Sequence, residues 1–257
     1  EATSPMMRST SRGNPLWNKV WPLLFWLAVW QLGSVAVGQE ILLASPAAVS
    51  KALGRLAATG LFWRSIASSF GRISLGFLLA MVFGGALAAA SHRFPLLETL
   101  VRPLMTGIKS TPVASFVILA LVWIKARNLS VFIAFLMAFP IAYTNLLEGL
   151  SAVDSKLLEM AKVFRVGKLR QLLYLYLPQL WPFLVSAASL SLGLSWKSGV
   201  AAEVIGLPRD SIGEQLYQAK IFLATDELFA WTLVVILISM AVEKLLLVLL
   251  RWAGRRI

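Results

Sequence analysis

Residues Leu158–Pro178 read L-E-M-A-K-V-F-R-V-G-K-L-R-Q-L-L-Y-L-Y-L-P. The stretch carries Glu159, Lys162, Arg165, Lys168 and Arg170 between two long apolar runs, and Pro178 begins the second of them. On either side, apolar segments of close to 20 residues recur, about the length that crosses a hydrocarbon core of ~30 Å. Charge gathered in one loop of a chain otherwise suited to lipid needs a partner or a headgroup surface to face.

Composition supports a membrane protein. Of 257 residues, 58% are hydrophobic and 14% are charged, where a soluble domain carries roughly 25% charge. The alternating segments of about ten residues that mark a β-barrel are absent, which leaves an all-α, polytopic protein. The net charge of +12 would suggest nucleic acid in a soluble chain; here it reads as basic residues collected at helix ends, with no nucleic-acid partner. There are no cysteines and a single histidine, His92, so disulfides and thiolate metal sites are excluded and no metal cluster is expected. His92 reads as a loop residue beside Arg93.

Six spans follow from the apolar runs: Trp17–Val37, Ile66–Ala90, Val101–Ile124, Leu129–Leu150, Leu172–Trp196 and Leu228–Leu250. The third is interrupted at Thr111–Pro112. Ile41–Trp63 reads as an amphipathic surface helix opened by Ser45–Pro46, an N-cap followed by proline at the first position. In the second span, Ala80, Gly84 and Ala88 recur at intervals of four, which permits close helix packing in lipid. The polar segment 1–16, with Arg8 and Arg12, reads as a cytoplasmic tail, because the apolar run after it lacks a small-residue cleavage site and is long enough to span. The transmembrane domain is 17–250, its charged cytoplasmic loop is 151–171, and a basic tail occupies 251–257. Six spans place both termini on one side. That side collects twelve Lys and Arg against seven on the other, so both termini and the charged loop are expected in the cytoplasm of a multi-pass protein.

Several short segments resemble one family. Glu159-Met160-Ala161, with Leu177-Pro178 following, resembles the EAA loop of binding-protein-dependent ABC importer permeases. Ser68-Ser69-Phe70-Gly71-Arg72 with Gly76-Phe77, then Ala201-Ala202-Glu203 with Gly206 and Ile212-Gly213, resemble segments of the nitrate/sulfonate/taurine-like branch. Ser45-Pro46 resembles that branch's early helix start. The resemblance covers about residues 40–250 and departs at one position. The loop's usual glycine, six residues after the glutamate, is replaced by Arg165, and Gly167 comes two later.

The resemblance implies a type I ABC importer (MetI-like) permease fold in the bacterial cytoplasmic membrane. It implies two ATPase subunits inside, a second permease copy or paralogue alongside, and a substrate-binding protein outside. The loop would be the coupling helix that enters a groove on the ATPase. The residues matched to that role are Leu157, Glu159, Met160, Ala161, Lys162, Phe164, Arg165 and Gly167. Glu159 would anchor or cap the helix and Phe164 would fill the groove. The residues agree: Leu157, Met160, Ala161 and Phe164 are spaced to share one helical face flanked by charge, which suits a helix in a groove. The same pattern also suits a helix lying on anionic lipid.

No catalytic residues are expected. The only Gly-Lys pair, Gly167-Lys168, lacks the earlier glycine and the following Ser/Thr of a P-loop, so ATP and Mg²⁺ would belong to the partner and no cofactor to this chain. For the translocation path the ionisable candidates are Arg72, Lys109, Lys197 and Glu203, with Glu243-Lys244 near the last span, since such groups within spans usually face a bundle interior or a watery cavity. Ser110 and Thr111, with Pro112, are expected to form a kinked polar patch in the third span. Lys197 and Glu203, six apart, share no helix face unless the helix breaks at Gly199. The cargo expected is a small, anionic or organic solute. A stand-alone secondary transporter or channel is the alternative, although such proteins often show internal repeats and none is visible here.

Overall fold

A computed structural model of the protein describes residues 17–255. The expected tail 1–16, and Arg256 of the basic tail, lie outside the described residues. Every element within them is helical: α1 (Trp17–Val37), α2 (Pro46–Ala57), α3 (Gly60–Arg93), α4 (Pro95–Ser110), α5 (Val113–Ala120), α6 (Ala126–Ser151), α7 (Ser155–Val163), α8 (Lys168–Gln171), α9 (Leu177–Gly206), α10 (Ile212–Ile221) and α11 (Thr225–Gly254). A π-helical turn, Leu172–Tyr176, joins α8 to α9. Five helices are long and apolar enough to cross a membrane, and six spans result if α4 and α5 form one.

The bundle is built on α6, with α3 and α9 packed along it. Small residues make the α3–α6 approach close. A methyl group added at Gly76 would lie 2.8 Å from Ala134 Cβ, and one at Gly84 would lie 2.9 Å from Ala142 Cβ. Ala80, Gly84 and Ala88 are buried as expected from their spacing, so the backbones approach where lipid-embedded helices lack a hydrophobic driving force. Trp196 of α9 and Trp231 of α11 are almost fully buried and close the core with Ile73 and Phe77.

Two expectations change, and a third, the interruption at Thr111–Pro112, holds. The amphipathic helix spans Pro46–Ala57, not Ile41–Trp63. The Ser45 hydroxyl does accept from the Ala48 N–H at 3.2 Å, but Thr59 caps a new helix by accepting from Phe62 N–H, and Gly60–Trp63 belong to α3. The third span is two helices bent by 101°. Thr111, forced out of the helical region by the following proline, has an extended ψ of 131°, and its hydroxyl donates back to the Gly107 carbonyl at 2.8 Å. Finally, α9 runs unbroken through Gly199 to Gly206, well past Trp196.

Candidate functional site: a charged loop and a polar interior

The charged loop folds as a short helix with defined ends. Asp154 is the N-cap of α7: its carboxylate accepts the Lys156 N–H at 2.8 Å, while its own N–H donates to Gln179 Oε1 of α9 at 3.0 Å. The cap is therefore Asp154; Glu159 sits mid-helix with an exposed side chain. At the other end, Arg165 N–H donates to Lys162 O and Val166 N–H to Ala161 O, the two bonds of a Schellman motif. That motif requires a left-handed residue, and Arg165 supplies it with φ 49°. The departure noted in the sequence is thus located: the position where glycine is usual is the one that needs positive φ. Gly167 has an ordinary φ of −60° and serves as the N-cap of α8.

Ala161 (2% exposed) and Val153 anchor the loop to the bundle. Leu157 is half-buried. The expected single apolar face is therefore divided, with Ala161 turned in and Met160 and Phe164 turned out. Met160 is 49% exposed and Phe164 is 74% exposed. Val163 and Leu169, 78% and 70% exposed, extend the patch. They were not singled out in the sequence, although Val163 lies three residues after Met160. Exposed Lys156, Glu159, Lys162 and Arg165 surround the patch. Exposed apolar side chains among charged ones suit an interaction surface.

Within the bundle, two path candidates find each other. Glu203 is fully buried and receives the Ser69 hydroxyl at 2.6 Å and Arg72 Nε at 3.2 Å. The Gly213 N–H reaches it at 3.4 Å, and the Ile212 N–H donates to Ser69 Oγ at 2.9 Å. The cluster ties α3, α9 and the start of α10 together. Arg72 and Glu203 thus satisfy one another, as charges inside membranes usually do, and the pair holds α3 to α9. Gly213 has to be glycine, since a Cβ there would run into Glu203.

Lys197 is separated from Glu203 as expected, and its side chain is exposed. It lines a cavity of about 500 Å³ with Lys109, Thr144, Asn145, Ser189 and Glu243. Lys109 Nζ donates to Thr144 Oγ1 at 3.3 Å, and Ser189 donates to Glu243 at 2.8 Å. Ser110 and Thr111 are excluded from this lining; both hydroxyls bond to Gly107 O and end α4. Lys109, another of the ionisable candidates within spans, stands at the end of α4 where the span is broken. Among the described residues no group of His, Cys, Asp or Glu could hold a metal ion.

Relatives share this architecture. The chain is 29% identical over 209 residues to SsuC of Bacillus subtilis (strain 168), named as an aliphatic sulfonates transport permease, covering 79% of this chain and 74% of SsuC. It is 25% identical over 182 residues to the taurine transport system permease protein TauC of Escherichia coli (strain K12), covering 70% and 66%. With the nitrate import permease protein NrtB of Leptolyngbya laminosa it shares 26% over 147 residues, 57% of this chain and about half of that one, 52%. Among solved structures, a chain of a bacterial ABC transporter involved in alginate import matches with a TM-score of 0.58 at 14% identity, covering 94% of this chain and 95% of that one. An amino acid ABC transporter matches at 0.53 and 18%, covering 75% and 90%. Residues 80–257 match the family described as binding-protein-dependent transport system inner membrane component. The chain belongs to that family of inner-membrane permease components of ABC importers.

Proposed function

We propose that the chain carries a small, anionic or organic solute across the bacterial cytoplasmic membrane. An external binding protein delivers the solute, and ATP and Mg²⁺ are bound by a pair of separate ATPase subunits. The observation that carries this reading is the exposed apolar patch of α7, Met160, Val163 and Phe164, on a helix fixed at both ends. It is a rigid knob suited to a groove. The charge bias favours both termini and this knob in the cytoplasm. Closure of the ATPase pair on ATP would move two such knobs together, one from this chain and one from a second copy or paralogue. The membrane cavity between the two permeases would then change sides.

The cavity holding Lys109 and Lys197 supports an anionic cargo. Both ammonium groups lie in membrane-spanning helices and form no ion pair among the described residues. The relatives named for sulfonate, taurine and nitrate transport agree with that class. The test is a pull-down of the full chain from native membranes in mild detergent, with ATPase activity assayed on the eluate. A co-eluting ATPase that is lost when 159–164 is scrambled in a folded chain supports the assignment. A chain that elutes alone and moves solute in liposomes without ATP overturns it.

A further inference from the structure

At the end of the bundle opposite α7, a cavity of about 710 Å³ opens between α3, the start of α6 and the turn after α9. Lys125, Arg127 and Arg209 line it, and none of the three forms an ion pair among the described residues. Arg72 forms part of its wall; its Nη2 is buried without a directed hydrogen bond, although Glu203 Oε1 lies 3.1 Å away. The one acidic lining residue, Asp210, is 3.9 Å from Arg64. The cavity therefore presents an excess of positive charge and free N–H donors.

This cavity does not end in protein. Leu75, Asn128 and Val131 also line a second hollow, of about 510 Å³. That hollow continues along the same faces of α3 and α6 and is walled by Leu79, Phe83, Phe132 and Phe135. It is an apolar groove floored by aromatic rings, with Phe83 and Phe135 meeting edge to face. From Arg72 to Phe83 the helix rises about 16 Å at ~1.5 Å per residue. One leaflet of a ~30 Å hydrocarbon core is about 15 Å deep. A charged head pocket joined to an apolar groove one leaflet long has the shape of an acyl-chain lipid.

We propose that this bipartite hollow binds an anionic phospholipid, its phosphate among Lys125, Arg127 and Arg209 and one acyl chain in the groove along Leu79, Phe83 and Phe135. With the termini inside, the lipid belongs to the outer leaflet. The site stands apart from the transport reading above; only the leaflet rests on the orientation given there. It differs from general headgroup contact because the groove holds one chain in a fixed place and the pocket has room for one head.

The test uses the full chain in mild detergent, titrated with phosphatidylglycerol or with phosphatidylcholine of the same chains, and followed by native mass spectrometry and thermal unfolding. The expected result is one retained phosphatidylglycerol per chain, with a raised melting temperature, and no comparable retention of phosphatidylcholine. K125Q/R127Q/R209Q is expected to weaken phosphatidylglycerol roughly a hundredfold, given about fivefold per basic residue near a charged surface. The conservative K125R/R127K/R209K retains it, which separates lost charge from lost fold. Leu79→Trp fills the groove and is expected to abolish binding while the basic residues stay. Equal retention by wild type and the glutamine variant overturns the proposal. So does equal stabilisation by inorganic phosphate, which would make the pocket a site for a free oxyanion. So does cross-linking of cysteines placed at Phe83 and Phe135 between two copies, which would make the groove a protein interface.

Discussion

Ser69 and Glu203 stand 134 residues apart in the chain and 2.6 Å apart in the bundle. Their bond holds α3 to α9, and Arg72, one turn after Ser69, supplies the counter-charge from 3.1 Å. Removing one member of a buried pair leaves the other uncompensated, which costs about 3–5 kcal/mol. Glu203→Ala is therefore expected to lower stability by about 3 kcal/mol and Ser69→Ala by about 1–2 kcal/mol, read from thermal unfolding in detergent. The double variant R72Q/E203Q should cost less than Glu203→Ala alone. A double variant as damaged as the single one would mean that Glu203 does not stabilise the bundle through its pairing with Arg72.

Arg165 carries a second prediction. Its φ of 49° is needed to close the Schellman motif, and an L-residue pays roughly 1–2 kcal/mol there. Arg165→Gly is expected to stabilise the loop by about 1 kcal/mol. Slower hydrogen exchange at the Val166 amide, which donates to Ala161 O, would report it. Arg165→Val should open the loop. Unchanged exchange in both variants would place the turn's stability elsewhere.

How far the fold could be read ahead depended on whether a signal was local. The apolar runs gave the spans, and Ser45–Pro46 marked the start of α2. Thr59 was overlooked because its capping partner, Phe62, sits inside an apolar run that hides the boundary. The full length of α9 was hidden by Lys197, the first charge after the apolar run, where the fifth span expected from sequence ends. Lys197 and Glu203 are tolerated because one opens on a polar cavity and the other is matched by Ser69 and Arg72. Such matches, more than 130 residues distant, have no local signature. The same holds for the division of the α7 face: periodicity grouped Ala161 with Phe164, but packing against the bundle separates them.

Gly76 and Gly71 lie on one helix and make a controlled comparison. A methyl at Gly76 would meet Ala134 Cβ at 2.8 Å and the Phe135 nitrogen at 3.0 Å, whereas Gly71 has nothing within 4 Å. Gly76→Ala is expected to destabilise by about 1–3 kcal/mol through overpacking. Gly71→Ala should be neutral or stabilising by up to about 1 kcal/mol. Melting temperatures of the two purified variants decide it; equal effects would refute the close α3–α6 contact.

The α7 patch predicts a loss without unfolding. Met160 and Phe164 are largely exposed, so M160A/F164A should leave the melting temperature unchanged. Co-purification of the ATPase should fall by about tenfold or more if Phe164 is an anchor of the kind that costs at least 2 kcal/mol. Lys156→Ala, on the rim, should have a small effect. A variant that melts early tells against a docking role, because the side chains would then be holding this chain together.

Lys109 and Lys197 yield the last prediction, and it bears on the cargo. They approach one cavity from a broken span and an unbroken one, so a solute passing between them would meet charge from two helices. A charge-assisted hydrogen bond contributes about 1.5–3 kcal/mol, and 1.36 kcal/mol is tenfold in rate. Lys197→Gln should therefore slow uptake of an anionic cargo about tenfold or more in reconstituted vesicles. ATPase coupling to α7 should survive, since that surface lies elsewhere. Lys109→Gln should do the same with a smaller effect, because part of its hydrogen-bonding capacity is already directed at Thr144. Lys197→Arg keeps the charge and should retain most of the rate. If both glutamine variants transport normally while M160A/F164A does not, the chain is still coupled to an ATPase, and its path runs outside this cavity.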